Sequence, residues 1–170
     1  MNWQTNPYAL ALIVSALVSI TIAIYAWRRR PATATTAVAL LLLAAAEWSL
    51  AYALELGAVR LETKTFWARA QYPGIVATAP LVLLVVVKYL GRDRWLTRRN
   101  LALLASVPIA TLALLLTNDL HGLIWEDTRL VASGSYQMLV IEHGSFFWVL
   151  VLYSYVCLGL AALLLAVIYV

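Results

Sequence analysis

Long apolar stretches alternate with short polar segments along this chain. None of the apolar stretches alternates with period two, and each falls within the roughly 17–25 residues that a helix needs to cross a bilayer. The pattern therefore predicts five membrane-spanning helices. They lie near Tyr8–Trp27, Thr36–Leu56, Phe66–Leu90, Leu101–Thr117 and Phe146–Tyr169.

The segments between these helices are short, except for residues 118–145. In that loop the apolar runs Leu130-Val131 and Tyr136–Ile141 flank the turn-forming sequence Ala132-Ser133-Gly134-Ser135. This arrangement is typical of a short β-hairpin, which we expect to lie over the helix ends. The predicted fold class is all-α, a polytopic helical membrane bundle with one small hairpin.

Composition supports a membrane protein and excludes a soluble one. Hydrophobic residues make up 64% of the 170 residues and charged residues 12%, against roughly 45–50% and 25% in soluble domains. Five spans leave no room for a sizeable aqueous domain. The single cysteine, Cys157, excludes an intramolecular disulfide and a cysteine-based metal site.

The placement of charge predicts the orientation. Alternate loops collect eight basic residues with only Asp93 as an acid, and the basic residues are Arg28, Arg29, Arg30, Lys88, Arg92, Arg94, Arg98 and Arg99. The opposite side carries more acids than bases. By the positive-inside rule the N-terminus lies outside and the C-terminus inside. We expect a multi-pass protein of a prokaryotic cell membrane.

One carboxylate lies close to the middle of a span and is the strongest functional candidate. Ionisable groups at membrane depth are costly, and are therefore treated as functional by default. Glu47 is in the second span, and Glu55 follows eight residues later on the same helical stripe. Trp48 and Tyr52 lie beside this stripe.

The third span enters the membrane with Arg69, Gln71 and Tyr72, followed by Pro73-Gly74, a pair that favours a kink. At about 1.5 Å of rise per residue, Arg69 and Glu55 fall at similar depth. We therefore expect an ion pair between them.

Polarity is confined to the outer half of the predicted bundle. The fifth span adds Tyr153 there, whereas the inner stretches Val38–Leu43, Ile75–Val87 and Leu158–Ile168 are almost wholly aliphatic. A transporter or channel needs a polar route through the whole membrane, so this one-sided pattern favours a receptor with an outward-facing pocket. The candidate ligand-binding residues are Glu47, Trp48, Tyr52, Glu55, Arg69, Tyr72 and Tyr153.

Other interpretations of these residues stay open. Tyr72 and Tyr153 also fit an interfacial aromatic belt, Arg69 can snorkel to the surface, and a protonated Glu47 can hold helices together by hydrogen bonding. The alternative functions are a small proton-coupled transporter that uses Glu47 and a membrane scaffold.

Motifs for catalysis are missing from the sequence, which has no Gly-rich phosphate loop and no nucleophile elbow. The long loop contains His121 and His143 with several carboxylates, but their spacing matches no structural zinc pattern. The basic residues flank the membrane and form no nucleic-acid-binding stripe. We expect no enzyme activity in this chain, no metal, no cofactor and no nucleic-acid partner.

Several short stretches occur in the order typical of one known family. They are Trp48–Leu56, Thr63–Arg69, Gln71–Gly74, Arg94–Arg99, Thr117–His121 and His143–Trp148. Over residues 47 to about 155 the chain resembles the N-terminal seven-helix membrane domain of sensor histidine kinases.

The resemblance implies one transmembrane sensor domain over residues 1–170 that lacks the last helices and the output domain. It also implies a two-component-type signalling role, a cytoplasmic signalling domain in the same parent chain, and kinase activity only for a longer parent protein. The expected partners are the lipid bilayer and an unidentified small ligand that arrives from outside or through the membrane. A homodimer is left open.

Overall fold

The computed structural model describes residues 3–28, 34–134 and 136–167. Arg29, Arg30, Ser135 and Tyr169, on which parts of the predictions fall, lie outside these ranges. The helices in the described part are α1 (Pro7–Arg28), α2 (Thr35–Gly57), α3 (Leu61–Ala70), α4 (Tyr72–Tyr89), α5 (Arg98–Leu116) and α6 (Ser145–Ala166), and the strands are β1 (Trp125–Ser133) and β2 (Tyr136–His143).

The five predicted spans are confirmed. Among the described residues, five helical segments are long and apolar enough to cross a membrane. The third of them, Leu61–Tyr89, consists of α3 and α4. It starts before the predicted Phe66, and Glu62 in the first turn of α3 favours this start because it faces the positive end of the helix dipole. The helix is interrupted at Gln71, just before the predicted kink at Pro73-Gly74.

The predicted hairpin is also confirmed. β1 and β2 pair antiparallel, with Leu130 opposite Leu139 and a bulge between Trp125 and Asp127. Gly134 in the turn has a φ of 60°, a backbone conformation that glycine adopts without a steric penalty.

The two ends of the bundle are different. The hairpin end carries β1 and β2, the start of α3 and the C-terminal ends of α2 and α5. The arginine-rich end carries the connection from α4 to α5, which contains Arg92 and Arg94. Helix α2 packs against α1 on one side and α4 on the other, and α6 packs against α4.

Two apolar clusters fill the bundle between these ends. The hairpin-end cluster consists of Ala68, Tyr72, Val76, Leu115, Ile124, Trp125 and Leu150. The arginine-end cluster consists of Ala79, Leu83, Val86, Val87, Cys157 and Ala161. Large apolar side chains such as Leu10, Leu103 and Leu163 are more than 60% exposed on the outside of the bundle, as a lipid-facing surface requires.

Candidate functional site at the hairpin end

Glu55 lies in a buried polar cluster where the C-terminal end of α2 meets the junction of α3 and α4. The Oε2 atom of Glu55 accepts a hydrogen bond of 2.6 Å from the Nε2 of Gln71. The Nζ of Lys64, which is fully buried, donates to the backbone oxygen of Glu55 at 2.8 Å. Lys64 and Gln71 are seven residues apart, so they project from the same face of the helical segment and both reach α2.

Arg69 does not pair with Glu55, and the predicted ion pair is wrong. Its guanidinium pairs with Asp119 instead and lies 5.8 Å from the centroid of the Trp125 ring. The reason is helical geometry. Residues 69 and 71 are separated by about 200° around a helix, so Gln71 faces α2 while Arg69 faces α5 and the hairpin.

A cleft of about 400 Å³ opens beside Arg69. Its lining includes Arg69 and Trp125 together with the acidic side chains of Asp119, Glu126 and Asp127. The Nε atom of Arg69 is buried and has no hydrogen-bond partner among the described residues. The cleft therefore presents a guanidinium that is paired with Asp119 and lies among further carboxylates, while its Nε is buried without a partner among the described residues.

The floor of the cleft is connected to α4 by an aromatic pair. The indole Nε1 of Trp125 donates to the hydroxyl of Tyr72 at 2.7 Å, and the two rings meet edge to face at 5.7 Å. Both side chains are buried. Trp125 begins β1 and Tyr72 begins α4, so this contact joins the hairpin directly to the third span.

Asn118 fixes the chain where α5 turns into the hairpin. Its Nδ2 donates to the backbone oxygen of Trp125 at 2.8 Å, and its Oδ1 accepts from the amides of Ile124 and Trp125 at 2.9 and 3.0 Å. Sequence reasoning did not select this residue. The available signal was an asparagine directly after a helix, where its side chain often bonds to a neighbouring turn.

Glu47 lies where α2 and α4 pack tightly against each other. Its Oε2 accepts from the backbone amide of Gly74 at 2.7 Å. A Cβ atom on Gly74 would lie only 2.4 Å from both this oxygen and the backbone oxygen of Ala44. Small residues permit such close helix packing in membranes, so the Pro73-Gly74 pair provides the contact as well as the interruption.

The other candidate residues lie elsewhere. Trp48 and Tyr52 are 40% and 39% exposed, and Tyr52 lines a second cavity, under β2. The hydroxyl of Tyr153 donates to the backbone oxygen of Leu104 at 2.5 Å, a bond between α6 and α5. The structure thus brings Arg69 to the cleft, Tyr72 to the buried side of Trp125 beneath it, and Glu47 and Glu55 to the α2–α4 contact. It does not bring all seven candidates together.

The two histidines have structural contacts in the loop. The Nδ1 of His121 accepts from the amide of Leu123 at 3.1 Å. His143 stacks against Phe147 with ring centroids 3.8 Å apart, and its partial burial lowers its pKa from the ordinary value. Within the described ranges no group of three or more histidine, cysteine or acidic residues is arranged to hold a metal ion.

Among the described residues, the buried polar side chains of this polytopic helical bundle lie in its hairpin-end half. A family model described as the N-terminal 7TM region of histidine kinase matches residues 11–170. The chain belongs to this family, and the resemblance inferred from the sequence is confirmed. It is the membrane-embedded sensory part of such proteins. No curated protein and no solved structure matches the chain.

Proposed function

We propose that this chain is a receptor region that binds a small polar ligand in the Arg69 cleft, on the extracytoplasmic side, and relays binding to a cytoplasmic output domain of its parent protein. The observation that carries the proposal is the set of contacts that the Arg69 side chain makes. Its guanidinium is shared between Asp119 and Trp125 in an open cleft, and its Nε has no partner among the described residues.

A ligand at this position competes with Asp119 for the guanidinium. Asp119 follows Asn118, which holds the backbone of Trp125, and Trp125 holds Tyr72 at the start of α4. A changed contact at Arg69 therefore acts on both the hairpin and the third span. Ligand binding shifts their arrangement only if the ligand has different affinities for the two states.

Helix α4 passes a shift on to α2 through two polar contacts. Gln71 donates to Glu55 at 2.6 Å, and the amide of Gly74 donates to Glu47 at 2.7 Å. Both helices continue to the arginine-rich end, where we expect the cytoplasm to lie. These contacts supply a continuous connection from the cleft to the helix pair at the centre of the bundle.

Packing at the arginine-rich end favours reception over transport. The buried residues there form an apolar cluster from Ala79 to Val87 on α4 with Cys157 and Ala161 on α6. A polar path from Glu47 to that end would have to cross this cluster.

The site can be tested in the parent protein by measuring its signalling output in membranes. We expect Arg69→Gln to change the response to the native signal by about tenfold, since one charge-assisted contact contributes about 1.5 kcal/mol or more. Arg129→Gln is the matched control, because Arg129 is an exposed hairpin arginine that pairs with Glu142 at 2.8 Å. Equal responses of Arg69→Gln and wild type at equal membrane amounts would reject the site.

Glu47 separates reception from proton-coupled transport. Glu47→Gln removes the ionisable group but keeps an oxygen that can accept from the Gly74 amide, so a receptor should keep its response. Glu47→Ala loses the acceptor and should impair it. Proton-driven flux in reconstituted vesicles that disappears in Glu47→Gln would instead establish transport.

A further inference from the structure

A second cavity, of about 490 Å³, lies between α1, α2 and β2. Leu12 and Leu56 form apolar walls on the two helices, and Met138 covers the cavity from β2. Asn6, Tyr52 and Tyr136 add polar groups to the lining. We call this cavity the α1–α2 groove. It is separate from the Arg69 cleft, since β2 lines the groove while β1 lines the cleft.

The lining of the α1–α2 groove defines the chemistry of its occupant. No charged side chain lines it among the described residues. The hydroxyls of Tyr52 and Tyr136 have no hydrogen-bond partner in the part of the chain that the structure describes. The groove therefore combines an apolar surface with free hydroxyl groups, and it offers no counter-charge for an ionic headgroup.

The groove is held open by the segment that precedes α1. The Nε2 of Gln4 donates to the backbone oxygens of Leu56, at 2.8 Å, and Gln137, at 3.0 Å. Its Oε1 accepts from the amide of Gln137 at 2.9 Å. These bonds fix β2 above the C-terminal end of α2 and so set the separation between two walls of the cavity.

We propose that the α1–α2 groove binds an uncharged amphiphile with a single aliphatic chain and a hydroxyl or carbonyl head. The aliphatic chain of the ligand lies along Leu12 and Leu56, and its head group forms hydrogen bonds with the hydroxyls of Tyr52 and Tyr136. The volume is in the range of small-molecule sites, about 300–1,000 Å³. The groove lies where α1 begins and α2 ends, so the ligand enters sideways from the membrane interface. Binding here does not depend on the proposed role of the Arg69 cleft.

The test uses the full chain in phosphatidylcholine nanodiscs with a photoreactive diazirine derivative of 1-dodecanol. We expect saturable labelling of peptides that contain Tyr52 and Met138. Unlabelled 1-dodecanol should compete, whereas dodecane, which lacks a head, and dodecanesulfonate, which is charged, should compete at least about tenfold more weakly.

Two variants with matched controls locate the site. Ala11→Trp fills the groove and should reduce the specific labelling about tenfold. Leu17→Trp, at a 60% exposed position on the same helix, should leave it unchanged. Tyr52→Phe removes only a hydroxyl and should weaken competition by about 3- to 10-fold. Tyr155→Phe, a 71% exposed tyrosine on α6, should have no effect.

Three results would overturn the proposal. One is labelling that 1-dodecanol does not displace, which would assign the groove to bulk lipid chains. Another is equal competition by dodecanesulfonate. The third is specific labelling that Ala11→Trp does not reduce together with competition by 1-dodecanol that Tyr52→Phe does not weaken. If Ala11→Trp fails to fold, the competition measured with Tyr52→Phe alone decides.

Discussion

The two halves of the bundle are held together by different interactions. In the hairpin-end half, polar side chains join separate elements, as Arg69 joins Asp119, Trp125 joins Tyr72, and Gln71 joins Glu55. In the arginine-rich half the buried residues are aliphatic side chains of α4 and α6 together with Cys157, and Tyr153, which packs against both clusters, adds one hydrogen bond to the backbone oxygen of Leu104.

This difference separates two roles. Apolar packing is non-directional, so the arginine-rich half can keep the helices together without responding to one particular group. Hydrogen bonds and ion pairs depend on specific partners, and a ligand can replace a partner. We therefore propose the hairpin-end half as the part of the molecule in which binding is converted into movement.

The largest expected effect is at the close contact between α4 and α2. Gly74→Ala places a Cβ 2.4 Å from two oxygens of α2, and should cost about 3 kcal/mol, the upper end of the usual cost of overpacking. Gly159→Ala on α6 is the control, because nothing lies within 4 Å of its Cβ position. It should be neutral or stabilise by up to about 1 kcal/mol. Thermal unfolding in detergent measures both, and equal midpoints would contradict the close α2–α4 contact.

A smaller effect is expected at Asn118. Asn118→Ala leaves the amides of Ile124 and Trp125 without their acceptor in a buried place, and should cost about 2 kcal/mol. Asn100→Ala, at the start of α5, loses one exposed bond to the oxygen of Trp95 and should cost less than about 1 kcal/mol. Hydrogen exchange of peptide 118–130 reports the loss directly. Unchanged protection there would show that the hairpin is held by other contacts.

Removing one tyrosine hydroxyl tests the contact with the hairpin, and a second tyrosine whose hydroxyl bonds outside the hairpin is the control. Tyr72→Phe removes the acceptor for Trp125, and Tyr153→Phe removes the donor to Leu104. Each should cost about 1 kcal/mol. Only Tyr72→Phe should increase hydrogen exchange in β1, because only Tyr72 contacts the hairpin through its hydroxyl. An equal increase of hydrogen exchange in β1 in both variants would contradict a specific role of the Tyr72 hydroxyl at the hairpin.

The smallest effect concerns pH. Burial lowers the pKa of His143 in the folded protein, while in the unfolded chain the pKa stays near about 6.5. Between these two values the unfolded state binds more protons, so the hairpin end loses stability as the pH falls below about 6.5. His143→Gln should flatten this part of the stability curve. A steeper dependence of stability on pH in the variant would contradict the assignment of this effect to His143.

The sequence was sufficient to predict the spans and the hairpin because both depend on local pattern. Apolar length determines the helices, and two apolar runs around a Ser-Gly turn determine the hairpin. The one-sided polarity was also visible, since it needs only the positions of Glu47, Glu55 and Arg69 along the spans.

The partners of the polar side chains could not be predicted from their depth in the membrane alone. Glu55 and Arg69 lie at similar depth, but they do not meet because Gln71 and Lys64 occupy the side of the third span that faces α2. The partner of Arg69, Asp119, is fifty residues away and is placed by the fold of α5 and the hairpin. The roles of Asn118 and Gln4 also arise only from contacts between elements.

The most direct test of the contrast between the two halves is residue-resolved hydrogen exchange of wild type and Arg69→Gln in nanodiscs. Loss of the Asp119 and Trp125 contacts should reduce protection in β1 and in residues 117–124. It should leave residues 79–87 of α4 and 157–161 of α6 unchanged. A uniform change across both halves, or no change at the hairpin end, would contradict the proposal that Arg69 controls the polar half of the bundle.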